Sequence, residues 1–381
     1  MTGSAPVDAA GARPRRRIAA HLAGGVLGAG MLVMPSVVAA LAGGHSLLVW
    51  AAHLALGGSV ALVLALVVRD RVGSTSLAGA VGVLLGRWAQ RLVDGVFAVA
   101  FTAGQAAIAW FAATCLVTAA TGSTPGPGVG VLLLALGVLA VAVLAALSPL
   151  VPPAAVLRWR WWVTGVLALA CAAWGWPASG PHTPLAPSGL GISGALWLAF
   201  AALFFAGVGW EAVTTVVPAT AAGPGRTAAG VLLGTALVAV GYLGLAAVYR
   251  SAGSADPVAA PVRWVLGLAT ATVLTSFCFT NVRTAARIAG RLRPEPEAAG
   301  RSRVTLAVVG LACAAFAWAG TGDGAVPLLL LGPAAAALVG YALGAVAAVR
   351  RGGPLLKCAG AAVLLVLAGT ALVPVRFLLD G

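Results

Sequence analysis

Two apolar segments of this chain carry the same interruption: Gly28-Ala29-Gly30 followed by Pro35, and Gly207-Val208-Gly209 followed by Trp210-Glu211 and Pro218. A helix that opens at Gly-x-Gly leaves free carbonyls at the end of one half. The next half starts with free N–H groups and the positive end of a helix dipole. Such an opening suits a small zwitterion: the N–H groups take a carboxylate, and the carbonyls accept from an ammonium or hold a cation. Glycine allows the unusual dihedrals and the close approach. In hydrocarbon these faults survive only where the freed groups line a cavity or find partners. Matched faults in two halves of a chain point to the binding site of a secondary transporter. For a single glycine pair, close helix packing is the competing explanation; the pairing, with Pro35 and Glu211 beside the openings, favours a site.

Glu211 is the only acidic residue well inside an apolar span. An ionisable group there costs several kcal/mol unless paired or solvated, which makes it a functional candidate for proton coupling or gating. A carboxylate that caps the broken helix is the structural alternative. Selectivity for the substrate side chain is expected from Phe204, Phe205 and Val208 near the second opening, Trp110 and Phe111 on the third span, and Phe277 on the eighth. These residues are apolar and no second buried acid accompanies them, which favours a neutral, hydrophobic amino acid over arginine or a polyamine. Thr275, Ser276 and Thr280 offer hydroxyl ligands for a competing sodium-coupled scheme, and Asn281 is placed to bond an unwound backbone group or to bridge helices.

The elements that must position these residues are membrane spans. The chain is 61% hydrophobic and only 8% charged over 381 residues, with a mean hydropathy of +1.03. About twenty apolar residues cross a bilayer, and about eleven such stretches occur, near 18–42, 46–68, 92–120, 127–149, 154–177, 192–217, 228–249, 262–290, 303–320, 325–349 and 355–375. The first follows Arg13, Arg15, Arg16 and Arg17 but is too long for a secretory apolar core, so it is expected to be retained as a helix. The net charge of +14 does not indicate nucleic acid. By loop parity, all of the 23 basic residues except Arg250, Arg263 and Arg376 fall on the side of the N-terminus, which the positive-inside rule makes cytoplasmic. The C-terminus is then external, and the expected location is the cytoplasmic membrane.

Five spans per half is an odd number, so the second half must enter the membrane from the opposite face. The expected organisation is a basic cytoplasmic tail (1–17), a five-helix unit (18–177), an external linker rich in proline (178–191), an inverted five-helix unit (192–349) and an extra C-terminal helix (350–381). Each Gly-x-Gly opening falls in the first helix of its unit. Trp159, Trp161 and Trp162, with Trp174 and Trp176, read as interfacial belts.

Several chemistries are not supported. Cys115, Cys171, Cys278, Cys313 and Cys358 lack metal-ligand spacing and read as packing residues, and His21, His45, His53 and His182 are scattered, so no metal and no cofactor is expected. Lys357 is the only lysine and lies in no phosphate-binding loop. The Gly320-Thr321-Gly322-Asp323 string suggests an intramembrane protease, yet no second aspartate lies well inside a span. The chain does not read as an enzyme.

The residues resemble a known family. GGVLGAGMLVMPSVVAALAGGHSLLVW (24–50) is similar to the first helix of bacterial amino-acid permeases of the amino acid-polyamine-organocation superfamily, and FFAGVGWEAVTTVVP (204–218) to their sixth. VGSTSLAGAVGVLLGRW (72–88) and FCFTNVRTAARIAGRL (277–292) resemble segments of the short permeases that export methionine and branched-chain amino acids. The resemblance implies an all-α polytopic membrane protein with a leucine-transporter-like 5+5 inverted repeat and broken helices 1 and 6. It implies amino-acid transport by alternating access, with protons or exchange as the coupling. Beside the resemblance, the openings themselves place substrate contacts at Gly28, Ala29, Gly30, Gly207 and Gly209. The chain departs from the family in PATAAGPGRTAAG (218–230), where a second acidic residue is usual, and in having one helix after the repeat where many relatives have two.

Overall fold

The structure is a computed structural model, described over residues 7–71, 76–126, 128–149, 153–176, 192–206, 208–252, 258–292, 302–321 and 325–380. The linker expected at 178–191, Gly207 and Asp323 lie outside the described residues. Among the described residues the chain is helical, without strands. The first span is two helices, α1 (Val7–Val26) and α2 (Gly30–Ala42). They are followed by α3 (Ser46–Arg71), α4 (Leu77–Leu85), α5 (Arg87–Thr121), α6 (Val129–Leu147) and α7 (Ala154–Ala173). The second half begins with α8 (Ile192–Ala206), a 3-10 turn Trp210–Ala212 and the short α9 (Val213–Val216). It continues through α10 (Pro224–Ser251), α11 (Ala260–Arg291), α12 (Arg303–Ala319), α13 (Ala325–Arg351) and α14 (Pro354–Asp380).

Helices lie over every predicted span, and among the described residues 8 helical stretches are long and apolar enough to cross a membrane. Two details go beyond the sequence reading. Helix α1 starts at Val7 and runs through the basic segment expected to be a tail. Helix α4 lies in the stretch after the second span, where no helix was expected; its Ser76 cap accepts from the Gly79 N–H at 3.1 Å, and it packs on α5 and α13.

Spans 1, 2 and 3 each lie against the span five places later: α2 on α8, α3 on α10, and α5 on α11. Small residues set the close approaches that membrane helices need. A Cβ on Gly230 or Gly234 of α10 would stand 3.0–3.1 Å from Ile18, Ala19 and Leu22 of α1, and one on Gly57 of α3 would enter the indole of the fully buried Trp210. Polar ties hold α5, α6 and α11 together. The Arg291 guanidinium grips Asp94 of α5 at 2.6 Å, and Arg283 donates to Ala146 O and Ser148 O at the end of α6 at 3.2 and 2.9 Å, satisfying carbonyls the helix end leaves free. The thiols of Cys278 and Cys313 donate to carbonyls of Gln105 and Thr102 on α5. Cys115, Cys171, Cys278 and Cys313 are buried and Cys358 is exposed. Trp159, Trp162 and Trp174 are exposed at the two ends of α7, but Trp176 is buried and takes no part in an outer belt.

Candidate functional site

The two interruptions meet at the centre of the molecule. Gly209 adopts φ 147°, a conformation that excludes a side chain, and a Cβ there would overlap Gly25 O. In return, a Cβ on Gly25 would fall 2.8 Å from Ala212 Cβ and 3.1 Å from Gly209 O. The residue of α1 that requires glycine for packing is thus Gly25, just before the expected motif. Gly28, inside the motif, has the Phe277 ring 3.5 Å from the place of its missing Cβ and is free to line a cavity.

The openings are closed differently. In the sixth span the Glu211 side chain turns back on its own half-helix: Oε2 accepts the Gly209 N–H at 2.9 Å and the Tyr341 hydroxyl of α13 at 2.5 Å. A carboxylate on an N-terminal N–H of the half-helix is the favourable sign for the dipole. In the first span, α2 begins after Ala29 with no side-chain cap. The N–H groups of Met31 and Leu32 close tight turns onto Gly28 O and Ala29 O at 3.0 and 3.1 Å. The carbonyl end of α1 is held from outside, since the Tyr242 hydroxyl of α10 donates to Val26 O at 3.0 Å while its ring stacks on Trp50, centroids 4.6 Å apart.

A cavity of about 330 Å³ lies between the openings. Of the residues expected at a site, Gly28, Ala29, Gly30, Phe205, Val208, Gly209, Glu211, Phe277 and Asn281 line it. Phe204 and Trp110 do not. Consecutive residues of a helix point about 100° apart, and Phe204 takes the direction away from the cavity, fully buried and edge-on to His53 of α3 at 4.8 Å. Trp110 turns to α12, where its indole N–H donates to Ala317 O at 2.8 Å, and with Phe111 it lines a small recess against Leu329 and Leu330 of α13.

The cavity also holds residues the sequence reading did not nominate. Gly104 and Gln105 face it from α5; Gln105 donates to Phe101 O at 2.7 Å and accepts from Asn281 at 3.4 Å, so that Asn281 bridges helices. Arg160, one of the basic residues that loop parity assigns to the side of the N-terminus, lies within the fifth predicted span and lines the cavity from α7. Its Nη1 donates to Ser276 O and Thr280 Oγ1 at 3.0 and 3.1 Å, and its guanidinium lies 4.2 Å from the centre of the Phe277 ring, a cation–π contact. The hydroxyls of Thr275 and Ser276 are turned to their own helix, donating to Ala271 O and Val273 O. A second cavity of about 290 Å³, walled by α4, α5, α9 and α11, adjoins the first at Phe101, Glu211, Ala212 and Thr284.

No protein-family model matches the chain, and no curated protein matches it in sequence. Among solved structures, the crystal structure of MhsT in complex with L-phenylalanine is similar, with a TM-score of 0.58 at 17% identity over 95% of this chain and 97% of that one. The likeness extends over nearly the whole of both molecules, and at this identity it concerns the fold: an all-helical, leucine-transporter-like 5+5 inverted repeat with broken first and sixth spans.

Proposed function

We propose that this chain is a secondary transporter of neutral, hydrophobic amino acids that works by alternating access. The observation that carries the reading is the cavity bounded by two broken helices, one of which offers an uncapped N-terminal end. The shared fold with a protein solved with L-phenylalanine supports it. In this reading the substrate carboxylate docks at Gly28, Ala29 and Gly30, its ammonium lies toward Glu211 and the end of α1 at Gly24 and Gly25, and its side chain meets Phe205, Val208 and Phe277. Membership of the amino acid-polyamine-organocation permeases, export as the direction, a cytoplasmic-membrane location and a cytoplasmic N-terminus belong to the same proposal. The inverted units are taken as 18–177 and 192–349.

Glu211 couples transport to protons. It faces both cavities, so it can exchange a proton with one while contacting substrate in the other. Sodium coupling is the weaker scheme, because the oxygens of Ser276 and Thr280 already hold the guanidinium of Arg160, a fixed positive charge where a monovalent cation would need ligands.

The test is counterflow in proteoliposomes loaded with unlabelled leucine, methionine, phenylalanine or arginine, following entry of labelled leucine at two pH values with and without sodium. Entry driven by the neutral amino acids, independent of sodium, is expected. Failure of every neutral amino acid to drive entry would remove the proposal.

A further inference from the structure

The glycines around the broken helices fall into two kinds. At Gly25, Gly57 and Gly209 an added Cβ would come within 3.0 Å of Ala212 Cβ, the Trp210 indole and the Gly25 backbone, none of which can yield readily, so packing demands glycine there. Gly104 is different. It sits in the middle of the long α5, lines the central cavity, and a Cβ built on it would meet only Phe205 Cε2, at 3.7 Å, an ordinary contact. A glycine inside a helix costs about 1 kcal/mol relative to alanine in water, and nothing in the packing of α5 accounts for it. What its missing side chain leaves is room within the cavity.

The aromatic walls show what that room adjoins. Phe277 borders Gly28 at the first opening and Phe205 borders Gly104, so the two rings extend from the expected carboxylate position to the α5 wall, with Ile108 one turn beyond Gly104. Resting on the transport reading above, we propose that Gly104 sets the size limit of the substrate: the side chain of a bulky aliphatic or aromatic amino acid lies over its bare backbone, between Phe205 and Phe277. Each carbon added at position 104 then shortens the longest side chain the cavity admits, while small amino acids keep their place at the opening.

The experiment is competition against labelled leucine by alanine, valine, leucine, methionine and phenylalanine in wild type, Gly104→Ala and Gly104→Val proteoliposomes. The expected result is a graded reversal of preference. Gly104→Ala, which adds one carbon, loses phenylalanine by roughly tenfold or more relative to alanine, the range one misfitted carbon produces in an apolar pocket, and Gly104→Val, which adds three, loses phenylalanine and leucine further. Gly104→Ala fits without displacing its neighbours and keeps the test open if the valine variant fails to fold. Equal loss for all competitors would assign Gly104 a purely structural role, and an unchanged phenylalanine-to-alanine ratio would place the side chain elsewhere; either overturns the proposal with the transport reading intact. Wild type that answers to no amino acid removes the transport reading and this proposal with it.

Discussion

The first and sixth spans are broken by the same kind of sequence and finished in opposite ways. In the sixth, the chain supplies its own anion: Glu211 receives the Gly209 N–H and the Tyr341 hydroxyl, so the half-helix end is satisfied from within. In the first, no side chain caps α2 and the outside support, Tyr242 on Val26 O, goes to the carbonyl end of α1. The difference teaches that matched breaks need not be equivalent sites. One half-helix begins with no side-chain cap, while the end of the other is closed by the chain's own carboxylate.

The comparison can be broken most severely where the two breaks touch. Gly209→Ala combines a positive φ with overlap against Gly25 O, and we expect a loss of about 3 kcal/mol or more, read as failure to recover monodisperse protein after detergent extraction. A well-folded, transporting Gly209→Ala protein would contradict the close approach of the breaks. Next in size is Glu211→Gln. The amide oxygen still accepts from Gly209 and Tyr341, so folding should persist, while the pH dependence of leucine exchange should flatten; an unaltered pH profile would leave Glu211 as a cap only. Tyr242→Phe removes one hydrogen bond to the end of α1 and should lower stability by about 1 kcal/mol, with a change in transport rate. The smallest effect on the substrate is expected of Trp110→Phe, which breaks the bond to Ala317 O outside the cavity: the melting temperature should drop slightly with leucine affinity within about twofold of wild type, the scatter allowed for residues without contact. A large affinity loss would move the cavity wall.

Much of the fold is legible because hydrocarbon imposes long apolar runs and punishes breaks, so the spans and the glycine-marked openings can be read directly. Helix α4 escaped because nine apolar residues are too few to signal a span. Rotation of each span was harder. The α8 segment is apolar all round, and nothing in its pattern tells whether Phe204 or Phe205 faces inward. Gly25, Tyr242 and Tyr341 act through partners more than a hundred residues away, which no local pattern records. Arg160 was not nominated for a specific reason: beside Arg158 and Trp159 it reads as an interfacial end, and its partners Ser276 and Phe277 of α11 lie more than a hundred residues away.

The most direct test of the account is a structure of the protein with leucine bound in a lipid nanodisc. The account predicts the amino acid in the central cavity, its carboxylate at the N–H groups of Gly28, Ala29 and Gly30, and Glu211 still folded back on Gly209. Leucine seated with its carboxylate at the sixth-span break, or bound outside that cavity, would contradict it.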